Sequence, residues 1–151
     1  MPQKTGKFCI TRTKDSLGIR FSSSLENIDA VCRAVTGYLL FHLAGVQGPG
    51  QLFAVNLVMR EGLTNAVCHG NKNDMTKDVR LKVKMVDKMS ICLEIEDQGN
   101  GFDWRKYKVG EPPQAADHGR GIAIMNTYFT RYTYNEKGNR LMLQMDLTPR
   151  I

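Results

Sequence analysis

From Val79 to Met85, apolar and basic residues alternate without a break: Val79, Leu81, Val83 and Met85 on one phase, Arg80, Lys82 and Lys84 on the other. A period of two places the apolar set on one face of a β-strand and the charged set on the opposite face. Such a strand must pair along its edges and be covered on one side only, so the rest of the chain has to supply that cover. Asp87-Lys88 reads as a tight turn, and Ile91, Leu93 and Ile95 repeat the pattern up to Asp97. The cover is expected from two upstream helices. Ser24 is a candidate N-cap, with Asn27 in place of the capping-box Glu, for a helix from Leu25 to about Leu43 whose apolar set is Ile28, Val31, Cys32, Val35, Leu39, Phe41 and Leu43. Gly45 to Gly50, with Pro49, ends it. A second helix is expected from about Gln51 to Cys68, with Leu52, Val55, Met59, Leu63, Ala66 and Val67 at spacings of three and four. His69-Gly70-Asn71 suits a left-handed cap at its end.

The flanking segments fit the same scheme. Ile10 to Phe21 alternates loosely around an Asp15-Ser16-Leu17-Gly18 turn signal and predicts two short strands. After Asp97 an irregular stretch runs to His118, interrupted by Pro112-Pro113. A third helix is expected from Gly119 to Gly121 onward, carrying Ile122, Ile124, Met125 and Phe129, followed by a hairpin of Arg131 to Asn135 and Arg140 to Leu147 about Lys137-Gly138-Asn139. The layout predicts an α+β sandwich in which the strands before and after the irregular stretch share one sheet. With 151 residues, 42% hydrophobic, it is read as a single domain, 1–151.

Composition narrows the function classes. Twenty-one Lys and Arg against 15 Asp and Glu give +6 at pH 7, which raises the question of an anionic partner. The charges are scattered and accompany no DNA-binding motif, so nucleic acid is not the expected partner. No apolar run reaches the roughly 20 residues that span a bilayer, and Met1 to Thr13 has no apolar signal core, so no membrane association and a cytoplasmic location are expected. Cys9, Cys32, Cys68 and Cys92 lack metal-site or redox-motif spacing and are read as reduced, mostly buried thiols. Cys68 and His69 are sequence neighbours and point in different directions on a helix, which argues against a Cys-His nucleophile.

Three short segments carry chemistry. Glu61, Asn65 and His69 lie four apart and stack on one stripe of the second helix, apart from its core residues. A neutral amide oxygen beside a carboxylate suits a hard cation next to a general base, although a lone pair of this kind is also an ordinary solvated face. Asp97-Gln98-Gly99-Asn100-Gly101-Phe102 follows directly on an apolar strand. An aspartate there accepts a hydrogen bond from an exocyclic amine, and glycines let backbone approach a flat ring. The same string is also a plain turn, and the remaining ligands of a calcium loop are absent. His118-Gly119-Arg120-Gly121 leads into an apolar helix, where free amides and the helix dipole make a phosphate cradle.

In this order the three segments resemble the N box (Glu61 to Asn71), first glycine box (Asp97 to Phe102) and second glycine box (Gly119 to Met125) of the ATP-binding domains shared by gyrase, heat-shock chaperones, mismatch-repair proteins and histidine kinases. The Glu-x-x-x-Asn-Ala run followed by His-Gly-Asn, and Gly-Arg-Gly-Ile, are most similar to the anti-sigma-factor serine/threonine kinase branch. The resemblance spans Leu25 to Leu147. It implies a two-layer ATP-binding (Bergerat) fold, with a mixed, mostly antiparallel sheet and helices on one face. It further implies that Asn65 binds Mg²⁺, that Glu61 is the catalytic base, that Asp97 takes the adenine amine with Gly101 against the ring, and that Gly119, Arg120 and Gly121 meet the phosphates. The resemblance likewise implies that His69 and Gly99 belong to the same ATP site and that Phe102 to His118 is its lid. His69 stands where histidine kinases carry a second Asn, and Arg120 where relatives often carry an apolar residue.

The function this resemblance implies is an ATP- and Mg²⁺-dependent protein serine/threonine kinase that binds a sigma factor and phosphorylates an anti-sigma-factor antagonist. The alternative is a nucleotide-regulated binding module without significant kinase activity. A histidine kinase is disfavoured, because His42 lacks the dimerising helical pair of a phospho-acceptor. The N-terminal strands and first helix are a candidate homodimer surface.

Overall fold

The computed structural model describes residues 8–42, 49–87, 90–101 and 129–146. The alternation at Val79 forms the centre of a six-stranded sheet. Its strands are β1 (Phe8–Arg12), β2 (Ser16–Ser22), β3 (Asp78–Asp87), β4 (Ser90–Glu96), β5 (Phe129–Tyr134) and β6 (Arg140–Asp146), in the order β1-β2-β3-β4-β6-β5. Every pairing among them is antiparallel, so the expected mixed character is absent from the described strands. The strands before and after the irregular stretch do share one sheet, through β4 and β6, where Leu93 faces Leu143.

Register puts the apolar phase of each inner strand on one face. Leu17, Ile19 and Phe21 of β2, Val79, Leu81 and Val83 of β3, Ile91, Leu93 and Ile95 of β4, and Leu141, Leu143 and Met145 of β6 are all buried. Two helices cover them: α1 (Ile28–His42), through Val31, Val35 and Leu39, and α2 (Pro49–Asn65), through Ala54, Val58, Met59 and Leu63. Arg80, Lys82 and Lys84 face water on the other side. Gly62 lets α2 lie close to the sheet, because a Cβ there would come within 2.7 Å of Ile95 Cδ1 and 3.3 Å of Leu141 Cδ2. On the surface Arg60 of α2 pairs with Asp29 of α1 at 2.6 Å. No helix among the described residues is long and apolar enough to cross a membrane.

Several local expectations need correction. The first turn uses Thr13 to Asp15, not Asp15 to Gly18: Leu17 is a core residue, and the Thr13 hydroxyl closes the turn by accepting the Ser16 N–H at 3.1 Å. Ser24 does cap, accepting from the Glu26 N–H at 3.4 Å, but Leu25–Asn27 is a single 3-10 turn. Asn27 donates to Ser22 O at 3.0 Å instead of completing a capping box. Helix α2 starts at Pro49, in the first turn, where a missing N–H costs nothing. Its end is a π turn, Ala66–Gly70, followed by left-handed Lys72 (φ 54°) and Asn73 (φ 58°), while Asn71 is right-handed. Phe129 opens β5, paired with Met145, and does not end a helix. Of the cysteines Cys32 alone is buried, and Cys9 is exposed. The rest of the third helix, the Phe102 to His118 lid and the Asp87-Lys88 turn lie outside the described residues or extend beyond them.

The two faces of the sheet predict opposite responses to truncation. Leu93→Ala should cost about 2–5 kcal/mol, as a large-to-small core change does. Lys82→Ala should stay within about 0.5 kcal/mol, as exposed substitutions do. Urea unfolding of both variants checks this, and a comparable loss in both would contradict the assigned face.

Candidate functional site

The end of α2, the end of β4 and the β5–β6 turn converge on one cavity of about 190 Å³. From the helix end come Gly62, Asn65, Ala66, His69 and Gly70, from the β4 side Ile95, Asp97 and Gly101, and from the hairpin Tyr134, Gly138, Asn139 and Leu141. Ile95, Leu141 and Ala66 make an apolar lining, and Asn65, His69, Asp97 and Asn139 contribute polar groups. The stripe read from the sequence is thus partly realised: Asn65 and His69 line the cavity, whereas Glu61, one turn earlier and partly buried, does not. Gly119, Arg120 and Gly121 lie outside the described residues.

Glycines bring the backbones together. The Asp97 carboxylate lies so close to Gly70 that any side chain there would overlap it. Gly99 packs against the Gly70 carbonyl, again leaving no room for a Cβ, and its N–H donates to Asp97 Oδ1 at 2.8 Å. Gly101 adopts φ +80°, and a Cβ on it would overlap Lys137 O. Gly70 therefore serves close approach, and the π turn that carries it is the reason the expected left-handed cap is absent. Behind the cavity the Asn71 side chain, 1% exposed, donates to Ser23 Oγ at 2.6 Å and Asp78 O at 2.9 Å, and accepts the Gln98 N–H at 2.8 Å.

A model of the histidine kinase-like ATPase domain matches residues 21–145, which include all three segments around the cavity. The chain belongs to this family. Comparison with curated proteins returns no match.

Membership in the ATPase family implies that the domain binds ATP, and the donor set of the cavity fits a purine. Asp97 is a hydrogen-bond acceptor in the cavity lining, with the backbone of Gly70 and Gly99 packed against it. It is 9% exposed. Burial pushes its carboxyl above the usual range, with Glu96 adding to the rise, while the Gly99 N–H, Lys137 and Lys77 oppose it. A buried carboxylate is therefore kept at a cost to the fold. Asn139, Tyr134 and Asn71 were missed in the sequence. Asn139 is legible there only as a turn residue, and Asn71 only as a helix-cap candidate and the last letter of the N box.

The raised carboxyl gives a sign to the pH dependence. Ionising Asp97 is harder in the folded state, so its penalty is full above the folded value and is lost as pH falls to the ordinary carboxylate value and below. Asp97→Asn keeps an oxygen for the Gly99 N–H, so it should raise the urea midpoint at pH 7, with a gain that vanishes below about pH 4. The same variant should lose ATP binding. Denaturation at several pH values together with nucleotide titration checks both halves.

Proposed function

We propose that this domain is an ATP-dependent protein serine/threonine kinase of the anti-sigma-factor type. It binds a sigma factor, and it transfers the γ-phosphoryl group of ATP to a Ser or Thr of an antagonist protein. The observation that carries the nucleotide half is the buried Asp97 carboxylate in the cavity lining, packed against Gly70 and Gly99, with Gly101 lining the same cavity. The protein-kinase half is supported by the run from Glu61 to Asn71 and by Gly119-Arg120-Gly121-Ile122.

In this reading Asp97 accepts from the adenine amine, Gly101 lies against the base, and His69 and Gly99 complete that end of the site. Asn65 supplies an oxygen to Mg²⁺, which neutralises phosphate charge when bound. Gly119, Arg120 and Gly121 meet the phosphates. The acceptor hydroxyl attacks the γ-phosphorus in line, Glu61 takes the hydroxyl proton, and the bond to the ADP oxygen breaks. Glu61 need not touch the base for this role, since its position one helical turn from Asn65 suits the far, phosphate end of a nucleotide.

The second reading, a nucleotide-regulated binding module, is favoured by Glu61 standing outside the cavity lining. Transfer of labelled γ-phosphate from ATP to a cognate antagonist separates the two. Glu61→Ala should slow transfer by about 10²-fold or more while ATP affinity changes little, as expected for loss of a general base. Absence of transfer by the unsubstituted protein to a partner it demonstrably binds would favour the binding module.

A further inference from the structure

The ladder between β4 and β6 ends at Glu96, opposite Arg140. Asp97 lies one residue beyond, where its backbone groups must find other partners. Both find Asn139. The Asp97 N–H donates to Asn139 O at 2.9 Å, and Asn139 Nδ2 donates to Asp97 O at 2.9 Å. A side-chain amide thus continues the ladder by one residue. On the other side of the same peptide, the Gln98 N–H donates to Asn71 Oδ1 at 2.8 Å. The single peptide unit between Asp97 and Gln98 is therefore gripped at its oxygen from the hairpin turn and at its nitrogen from the helix end.

Each grip is itself held. Asn71 is anchored through Ser23 and Asp78 O. Asn139 Oδ1 accepts from Asn135 Nδ2 at 2.8 Å, and Asn135 Oδ1 accepts the N–H groups of Gly138, Asn139 and Arg140 at 2.9, 3.0 and 3.1 Å. Pinning the peptide fixes the Asp97 Cα, which leaves its carboxylate only the two side-chain torsions to vary. An acceptor that drifts by about an ångström leaves hydrogen-bond range.

We propose that Asn139, braced by Asn135 and opposed by Asn71, is the positioning residue that sets which base the cavity accepts. It does so by holding the Asp97–Gln98 peptide so that the carboxylate stays aimed at an exocyclic amine. This rests on the ATP reading above. Loss of Asn139 should therefore remove discrimination for the amine, whereas a residue that only supports the fold would weaken all nucleotides alike.

The test is titration of the protein with Mg²⁺-ATP and with Mg²⁺-purine riboside triphosphate, which lacks the 6-amino group. The unsubstituted protein should prefer ATP by about tenfold or more, the scale of a hydrogen bond to a charged group. Asn139→Ala should bring the two affinities within about threefold, mainly through weaker ATP binding. Asn139→Asp, which keeps the shape and removes the donor, should lower the ratio too, because any repulsion of the phosphates is common to both ligands. Far-UV circular dichroism identifies folded variants, and Asn135→Ala, which unbraces Asn139 without removing it, should give a partial loss if Asn139→Ala does not fold. Equal weakening of both ligands, or an unchanged ratio in folded variants, overturns the positioning role. Failure of the unsubstituted protein to bind ATP or to prefer it overturns the assignment of Asp97 to the base, and the positioning role with it.

Discussion

The carboxylate of Asp97 rests on the α-carbon of Gly70 and takes the amide of Gly99, so the end of β4 and the end of α2 cannot move separately. Burying a charge in this way costs the fold, and the Gly99 amide, its donor among the described residues, offsets only part of it. The contact is possible because two glycine backbones meet with no side chain between them. It also dictates how α2 ends. An ordinary α-helical turn closed by a left-handed residue gives way to a wider one, and the left-handed positions fall to Lys72 and Asn73. Gly62, two turns earlier, performs the corresponding service for packing, letting the helix settle on Ile95 and Leu141 so that its last turn reaches the rim of the sheet.

How much of this is legible in the sequence depends on whether the information is periodic. The alternation through β3 and β4 states which face is buried, and burial follows it at Val79, Leu81, Val83, Ile91, Leu93 and Ile95, with Met85 partly buried. The hairpin is legible for a similar reason, since Asn135 forms its turn with groups three to five residues away. The first turn is not, because its Asp-Ser-Leu-Gly string is a fair local signal that the burial of Leu17 overrules. Helix α2 ends as tertiary contact requires, while Gly-Asn propensity argues for something else.

The cavity was half legible. Asp97, Asn65 and His69 stand in recognisable strings, and all three line it. Asn139 reaches back 42 residues to Asp97, and Asn71 forward 27 residues to Gln98. Asparagine in a turn has a sufficient local explanation, so nothing in the string distinguishes one that, among the described residues, bonds only its neighbours, as Asn135 does, from one that holds a distant peptide. Glu61 shows the converse. Helical spacing places it on the stripe of Asn65 and His69, yet a stripe crossing the end of a helix runs out of a cavity built at that end.

Charge tells the same story from outside. The excess of basic residues suggests an anionic partner, but among the described residues the cavity lining contains a carboxylate and no lysine or arginine. Arg80, Lys82 and Lys84 instead occupy the water-facing side of the sheet, opposite the helices. On the proposed reading, the end of the site described here would recognise its ligand by a directed hydrogen bond and by apolar, glycine-bearing walls, which are little affected by salt. Long-range attraction of a triphosphate has to come from groups beyond this lining. On the proposed reading, selection of the base and capture of the phosphates are separate tasks carried by different segments of the chain, and the first would depend on how firmly one peptide at the end of β4 is held.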